Sequence, residues 1–441
     1  FPLILNYIAE LQYGDGEFWA CPASEYDSVK GHYYTSKDSC LMQLKADMEL
    51  IKRMGFNSVR IVRIGETNIN TENGEISIVA NFKNQKDTTI VLSSSFLSRK
   101  NDPYKNYFIA IDEMLDVIGS VGLKVILLTR MSLDFKSTEA HLTKLASYFK
   151  NNSTIMAYDF FNEPLYFDRK ERAKLDVYTG VNKWRKIITK RAPNHLCTIG
   201  LEGIREVFEW DPNILNVDFI SYHPYEYEPE QVRNEIYWYG KYTNKPWVIG
   251  ETGWYTSEEN ERESAKTQKV FALKTLEQTY NCGANGYSWW QFKDVAWNDL
   301  KNHSDLMGLV SKNGKPKKAI SVFQDFNPTK NKGDCLCLIN YYNYSESDVF
   351  LLKGKLVDKN NSPIEGGVIL AWNEDWTHSY HTITKKDGAF ELKGSYPFYH
   401  WMASATKHEM IRGNILPDTV TTSFPTFDLG VLAINRLDFL D

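Results

Sequence analysis

The 441-residue chain has no apolar run approaching the ~18 residues that a membrane-spanning helix needs, which removes that class. Its six cysteines, Cys21, Cys40, Cys197, Cys282, Cys335 and Cys337, form no CxxC pair and stand at no zinc-binding spacing with histidine, which disfavours a structural metal site. There is no basic stripe either. Lys and Arg are spread along a chain of net charge −5, which speaks against nucleic acid as a partner. Internal repeats and low-complexity segments are absent, so solenoids and linker-like chains are set aside.

What is present is ordinary for a globular protein, with 42% hydrophobic and 24% charged residues. The length exceeds the ~250–300 residues at which single cores usually stop growing, so one large domain and a smaller one are expected. Aromatic residues reach 14%, with 12 Trp and 26 Tyr, and such rings suit sugar faces and polar-rimmed interfaces equally well. Cys21 and Cys40 are open to pairing in an oxidising compartment, although free buried thiols are the default in a chain this large. The chain starts at Phe1 rather than at methionine, so we expect a processed or truncated chain whose leader, if any, is not seen.

Short apolar runs alternate with amphipathic stretches through residues 1–327. Eight runs read as strands, Leu3–Ala9, Ser58–Ile64, Lys124–Thr129, Ile155–Phe161, Cys197–Leu201, Phe219–His223, Trp247–Gly250 and Gly286–Trp290. Between the first two, Leu41, Leu44, Met48 and Ile51 fall at helical spacing, with Gly55 placed to end the helix; Phe108, Ile111, Leu115 and Ile118 repeat the pattern before Gly122. Further helices are predicted at Thr138–Lys150, Arg172–Thr189, Glu230–Tyr242, Ala265–Tyr280 and Lys317–Gln324. Eight such units point to an α/β fold, a (β/α)8 TIM barrel. An open doubly wound sheet is the competitor, but it ordinarily carries a glycine-rich phosphate loop after its first strand, and Asn6-Tyr7-Ile8-Ala9 is not one.

Beyond it, "NPTKNKGD" opens a linker over residues 328–345, and residues 346–441 read as a small C-terminal antiparallel β-sandwich, with Asp387-Gly388 suited to a tight hairpin.

Two carboxylates carry the chemical reading. Glu163 in "YDFFNEPLYF" ends the fourth strand and Glu251 in "PWVIGETGW" follows the seventh, each where a barrel strand delivers side chains to its open face. Glycoside hydrolysis needs such a pair, one acid to protonate the leaving oxygen and one to attack the anomeric carbon or activate water. Taken alone, Glu163-Pro164 reads as an exposed helix start. Asn162 beside it, able to hold a sugar hydroxyl, and a second acid on a second strand end tip the reading to function.

With these motifs together the chain resembles the clan A retaining glycoside hydrolases, and most closely glycoside hydrolase family 5, over about Pro2 to Phe326. The resemblance implies Glu163 as acid/base and Glu251 as nucleophile, with no cofactor. It further implies that Arg60 in "GFNSVRI" supports the nucleophile, that His223 and Tyr225 in "SYHPY" lie near it, and that Trp290 in "YSWWQFKD" underlies the sugar. Each has a plainer alternative: a salt bridge within the barrel for Arg60, a structural group for His223, a core aromatic for one of Trp289 and Trp290. Trp254 is a sugar platform or a loop residue packed on its neighbours, and Asp159 a buried hydrogen-bonding group. The chain departs from the pattern at "LLTRMSL", where Thr129 and Arg130 stand in place of a histidine common in the family.

The resemblance makes a carbohydrate the expected substrate, β-mannan or β-glucan in type, handled by a monomer at an extracellular, periplasmic or cell-surface location. The distal segments "GKLVDKNNSPIEGGVILAW" and "TITKKDGAFEL" resemble carboxypeptidase regulatory-like sandwiches. Two further readings stand beside this one, a noncatalytic glycan-binding barrel and a nucleotide-dependent oxidoreductase. The loops Tyr13–Thr35 and Arg63–Arg99 are expected to decide between an open groove and a closed pocket.

Overall fold

A computed structural model describes residues 1–14, 17–26, 36–66, 68–69, 76–82, 89–92, 103–130, 135–167, 170–257, 259–295, 303–330, 333–341, 347, 349–415 and 426–440. Eight parallel strands, β1 (Leu3–Gly14), β2 (Ser58–Arg63), β3 (Lys124–Leu128), β4 (Ile155–Asn162), β5 (Leu196–Leu201), β6 (Ile220–Tyr222), β7 (Trp247–Ile249) and β8 (Tyr287–Trp289), pair in chain order. The sheet closes where β1 pairs with β8, Leu3 opposite Tyr287. These strands are buried almost throughout because helices cover them on one face and the barrel interior fills the other, so they carry Val, Ile, Leu and aromatics at nearly every position.

The helices fall where the apolar spacing places them, at Lys37–Arg53, Pro103–Ser120, Phe135–Tyr148, Lys174–Arg191, Pro229–Tyr242, Glu261–Asn281 and Ile320–Asp325. Ser36 caps the first, its Oγ accepting from Ser39 N at 3.2 Å. Gly55 follows that helix at φ +98°, and a Cβ there would sit 2.7 Å from Phe323 O, so both conformation and space demand glycine. Among the described residues no helix is long and apolar enough to cross a membrane.

Three features differ from the sequence reading. The first strand runs on to Gly14 and turns back into Glu17–Pro22 as an antiparallel hairpin, although the segment from Tyr13 reads as a loop. The segment Arg63–Arg99 carries the strands Asn68–Ile69, Ile76–Phe82 and Thr89–Leu92, and Ile76–Phe82 also joins β1; residues 67, 70–75, 83–88 and 93–99 lie outside the described residues. A disulfide joins Cys282 to Cys335, while Cys21, Cys40 and Cys197 are buried free thiols and Cys337 is an exposed one.

Seven C-terminal strands form the predicted sandwich: β9 (Phe350–Asp358), β10 (Val368–Trp372), β11 (Ser379–Ile383), β12 (Ala389–Gly394), β13 (His400–Ser404), β14 (Met410–Asn414) and β15 (Thr426–Ile434). A three-stranded sheet, β12-β9-β15, faces a four-stranded one, β11-β10-β13-β14, over a core that includes Leu352, Ile369, Phe390 and Ala403. The β9–β15 pairing is parallel, an exception within an otherwise antiparallel module.

The sandwich is docked on the barrel by buried polar contacts. Lys174, 5% exposed, donates from Nζ to Ser404 Oγ at 2.9 Å and to Ala405 O at 3.1 Å, and pairs with Asp211 at 3.5 Å. Trp238 on helix Pro229–Tyr242 shares an apolar cluster with Tyr341 and Ile383. Because Cys282 ends helix Glu261–Asn281, its disulfide ties the connecting segment to the barrel. Replacing Cys335 with serine should therefore lower the unfolding free energy by roughly 2–4 kcal/mol in denaturant melts, and an unchanged midpoint would remove the tether from the stability account.

Candidate active site

Asn162, Glu163, His223, Tyr225 and Glu251 all lie at or just past the C-terminal ends of β4, β6 and β7. The fourth strand stops abruptly because Glu163 takes φ +46°, in the left-handed region, and Pro164 then opens the short helix Pro164–Phe167. Glu163 N still donates to Gly200 O at 2.9 Å, so the turn is held by β5 while the carboxyl is swung over the barrel mouth. A glutamate in that backbone region is unusual, and strain of this kind gathers at functional sites.

Arg60, 1% exposed, rises from β2 into the middle of the group. Its Nε donates to Asp159 Oδ2 at 2.8 Å, its Nη2 to Asn162 Oδ1 at 2.6 Å and its Nη1 to Asn6 Oδ1 at 3.1 Å. The same Nη1 is in close contact with Glu251 Oε1. With its oxygen held by Arg60, the Asn162 amide presents its nitrogen as the end available to donate. Asp159 is the buried hydrogen-bonding group expected, accepting from Gly200 N at 3.2 Å as well.

His223, fully buried, places Nδ1 2.7 Å from Glu163 Oε1 and 3.7 Å from Glu251 Oε1. It lies near the nucleophile, as the sequence reading has it, and nearer still to Glu163. Tyr225 sits beside the nucleophile too, its Oη donating to Glu251 Oε2 at 3.2 Å. Gly200 and Gly250 flank the imidazole: a Cβ on Gly200 would come within 2.7 Å of His223 Cε1, and one on Gly250 within 2.9 Å of His223 Nε2.

Trp290 is half-buried against the barrel core, and Trp289 points the opposite way, buried and donating from Nε1 to Met307 O at 2.9 Å. Trp254 combines both of its readings. It packs on Phe271 at 5.1 Å and Tyr255 at 5.7 Å while also lining an adjoining cavity. Thr129 and Arg130 are buried at the end of β3, where Thr129 Oγ1 donates to Asp159 O at 3.0 Å.

The electrostatics separate the two acids. Burial, then the neighbouring Glu202 carboxylate, push Glu163 up to about 8 against the pull of Arg60. Burial also raises Glu251, opposed by the Arg60 guanidinium against it. Burial holds His223 neutral, pushed down to about 4, so Arg60 is the cation that acts on Glu251 near neutrality. The ligand atoms of Glu163, His223 and Glu251 lie within 4.8 Å of one another, a spacing that could hold a metal ion, but the Arg60 guanidinium already sits against the Glu251 oxygen.

A family model described as Cellulase (glycosyl hydrolase family 5) matches residues 21–293, more than half of the chain. The chain belongs to glycosyl hydrolase family 5. No curated protein matches this family 5 sequence. Among solved structures it is similar to the exo-β-1,4-mannosidase Op5Man5 from Opitutaceae bacterium strain TAV5, at 17% identity and a TM-score of 0.51, covering 75% of this chain but 59% of that one. It is also similar to GH5_18 from Bifidobacterium longum subsp. infantis, at 14% identity and a TM-score of 0.48, over 74% of this chain and 81% of that one. GH5_18 from Streptomyces cattleya in complex with GlcNAc gives 13% identity and a TM-score of 0.48, over 73% and 80%. At these identities the likeness is one of fold.

Sequence reasoning missed Asn6, Gly200 and Gly250 in this family 5 site. Asn6 had a signal, a lone amide inside the apolar run "LILNYIA"; it donates to Gly250 O and Ser288 Oγ, both at 2.9 Å. The glycines had none, since their need arises only when His223 is folded between them. Arg60→Met should leave Asp159 and Glu251 buried without their cation and destabilise the fold by about 3–5 kcal/mol, read from denaturant unfolding. A change under about 1 kcal/mol would show that the guanidinium is not what holds these acids together.

Proposed function

We propose that the chain is a retaining glycosidase of β-linked glycans, β-mannan or β-glucan in type, working by double displacement. The observation that carries this reading is the spacing of the acids: a carboxylate oxygen of Glu163 and one of Glu251 lie within 4.8 Å. Retaining pairs stand roughly 5–5.5 Å apart, whereas inverting pairs need about 6.5–9.5 Å to admit a water.

In the first step Glu251 Oε attacks the anomeric carbon and Glu163 gives its proton to the departing oxygen. In the second, Glu163, now a carboxylate, takes a proton from water, whose oxygen displaces Glu251. Arg60 and Tyr225 favour the charged form of Glu251, and burial keeps Glu163 protonated, the division of labour the first step requires. Asn162 would donate to a sugar hydroxyl, and Trp290 would lie under the ring.

On this reading residues 1–327 carry the chemistry and residues 346–441 form an accessory module of the carboxypeptidase regulatory-like kind. The Cys282–Cys335 disulfide favours an oxidising, extracytoplasmic setting. A β-mannoside is the first substrate to try.

Glu163→Ala and Glu251→Ala should each lower kcat/KM by about 100-fold or more on whichever of a panel of aryl β-mannosides, glucosides, xylosides and galactosides the wild type cleaves. Losses below about tenfold in both would sink the assignment. NMR of the first product should show the β-anomer, and initial release of the α-anomer would refute retention. Since Glu163 must be protonated to act, kcat/KM should fall as pH rises through about 8.

The same shift affects stability. An unfolded chain releases the Glu163 proton near the ordinary 4.5, the folded one near 8, so wild-type stability drops across that window. Glu163→Gln, which carries no such proton, should melt increasingly above the wild type from about pH 4.5 to 8, and a constant gap would contradict the raised value.

A further inference from the structure

The barrel and the sandwich together line a half-open cavity of about 570 Å3, within the roughly 300–1,000 Å3 of small-molecule sites. It begins at Tyr225, the residue that bonds Glu251, so it adjoins the catalytic pair. Its barrel wall is aromatic: Trp254 stacks on Tyr255 at 5.7 Å and 22°, and Tyr255 on His303 at 3.9 Å and 11°. Its far wall belongs to the sandwich, through Ser379 and His381 of β11.

That far wall is fixed. Tyr341 Oη donates to Glu235 Oε1 at 2.7 Å, and His381 Nε2 lies 3.7 Å from the same oxygen. The Tyr341 ring stacks on Trp238 at 5.7 Å and 14°. Glu235, Tyr341 and Trp238 are all buried, which seats β11 against the barrel as part of the cleft.

The lining suits a sugar, with flat rings for its apolar face and Glu202, Glu226 and Gln231 for its hydroxyls. It does not suit an acidic one. Arg205 and His381 are each already beside a carboxylate, Arg205 at 3.6 Å from Glu202 and His381 at 3.7 Å from Glu235.

We propose that this cavity is a subsite for a neutral sugar residue next to the one at the catalytic pair, and that the sandwich, through Ser379 and His381, decides which sugar fits. The inference rests on the glycosidase reading above and adds that the second domain is a specificity element.

Two exposed positions test it from the two sides. Tyr227 lines the cavity from the barrel and is 94% exposed, so Tyr227→Ala removes a sugar contact without opening the core. Ser379 is exposed at the start of β11, so Ser379→Trp fills the cavity from the sandwich. The probes are mannotetraose and cellotetraose, which reach the subsite, and β-mannosyl and β-glucosyl fluoride, which occupy only the reacting sugar's place.

Each variant should lose about tenfold more kcat/KM on the tetraose that the wild type cleaves than on the matching fluoride. In an active enzyme, a loss equal on both kinds of probe, or absent on the tetraose, in either variant overturns this inference alone. A wild type that cleaves an aryl glycoside but neither tetraose overturns this inference alone, and one inert on every aryl glycoside and all four probes overturns the glycosidase reading and this one with it.

Discussion

One buried guanidinium organises the mouth of the barrel. Arg60 stands on β2 with almost no access to water, and its nitrogens reach Asn6 on β1, Asp159 and Asn162 on β4 and Glu251 past β7. Burying that charge is tolerable only because carboxylates and amide oxygens replace its water on every side. The geometry at the nucleophile follows from it: the strands that carry the acids are fixed by the barrel, the cation aims Glu251, and His223 meets Glu163.

The same contact divides the labour of the two glutamates. Both are buried, and burial alone would keep both protonated. Arg60 and the Tyr225 hydroxyl sit against Glu251, whereas Glu163 faces a neutral imidazole and the Glu202 carboxylate. Two residues of one chemical type thus meet opposed neighbours, with a cation and a hydroxyl working against the burial of Glu251 and a carboxylate adding to that of Glu163.

Much of this was legible in the sequence, for a physical reason. Strands covered on both faces show as continuous apolar runs, so all eight barrel strands stood out within a residue or two at most ends, and the two acids were marked by their position after such runs. Asp159 was readable as a buried hydrogen-bonding group, since it stands inside the fourth of these runs. What was not legible depended on contacts distant in the chain. Cysteine spacing cannot give connectivity, so Cys282–Cys335 was invisible beside the weighed pair Cys21 and Cys40. The parallel pairing of β9 with β15 is a matter of tertiary register. His223 showed its strand but not its partner, because which carboxylate it meets is set by the turn at Glu163.

The glycines beside His223 carry a consequence for any attempt to move this chemistry elsewhere. At residues 200 and 250 the absent side chains are what leave room for the ring, and at Gly250 a methyl group would also collide with the Ser221 hydroxyl. Grafting the acids, the arginine and the histidine onto another eight-stranded scaffold would fail wherever the adjoining strand ends bear even an alanine. Vacant volume is a component of this catalyst, and it has to be copied along with the charges.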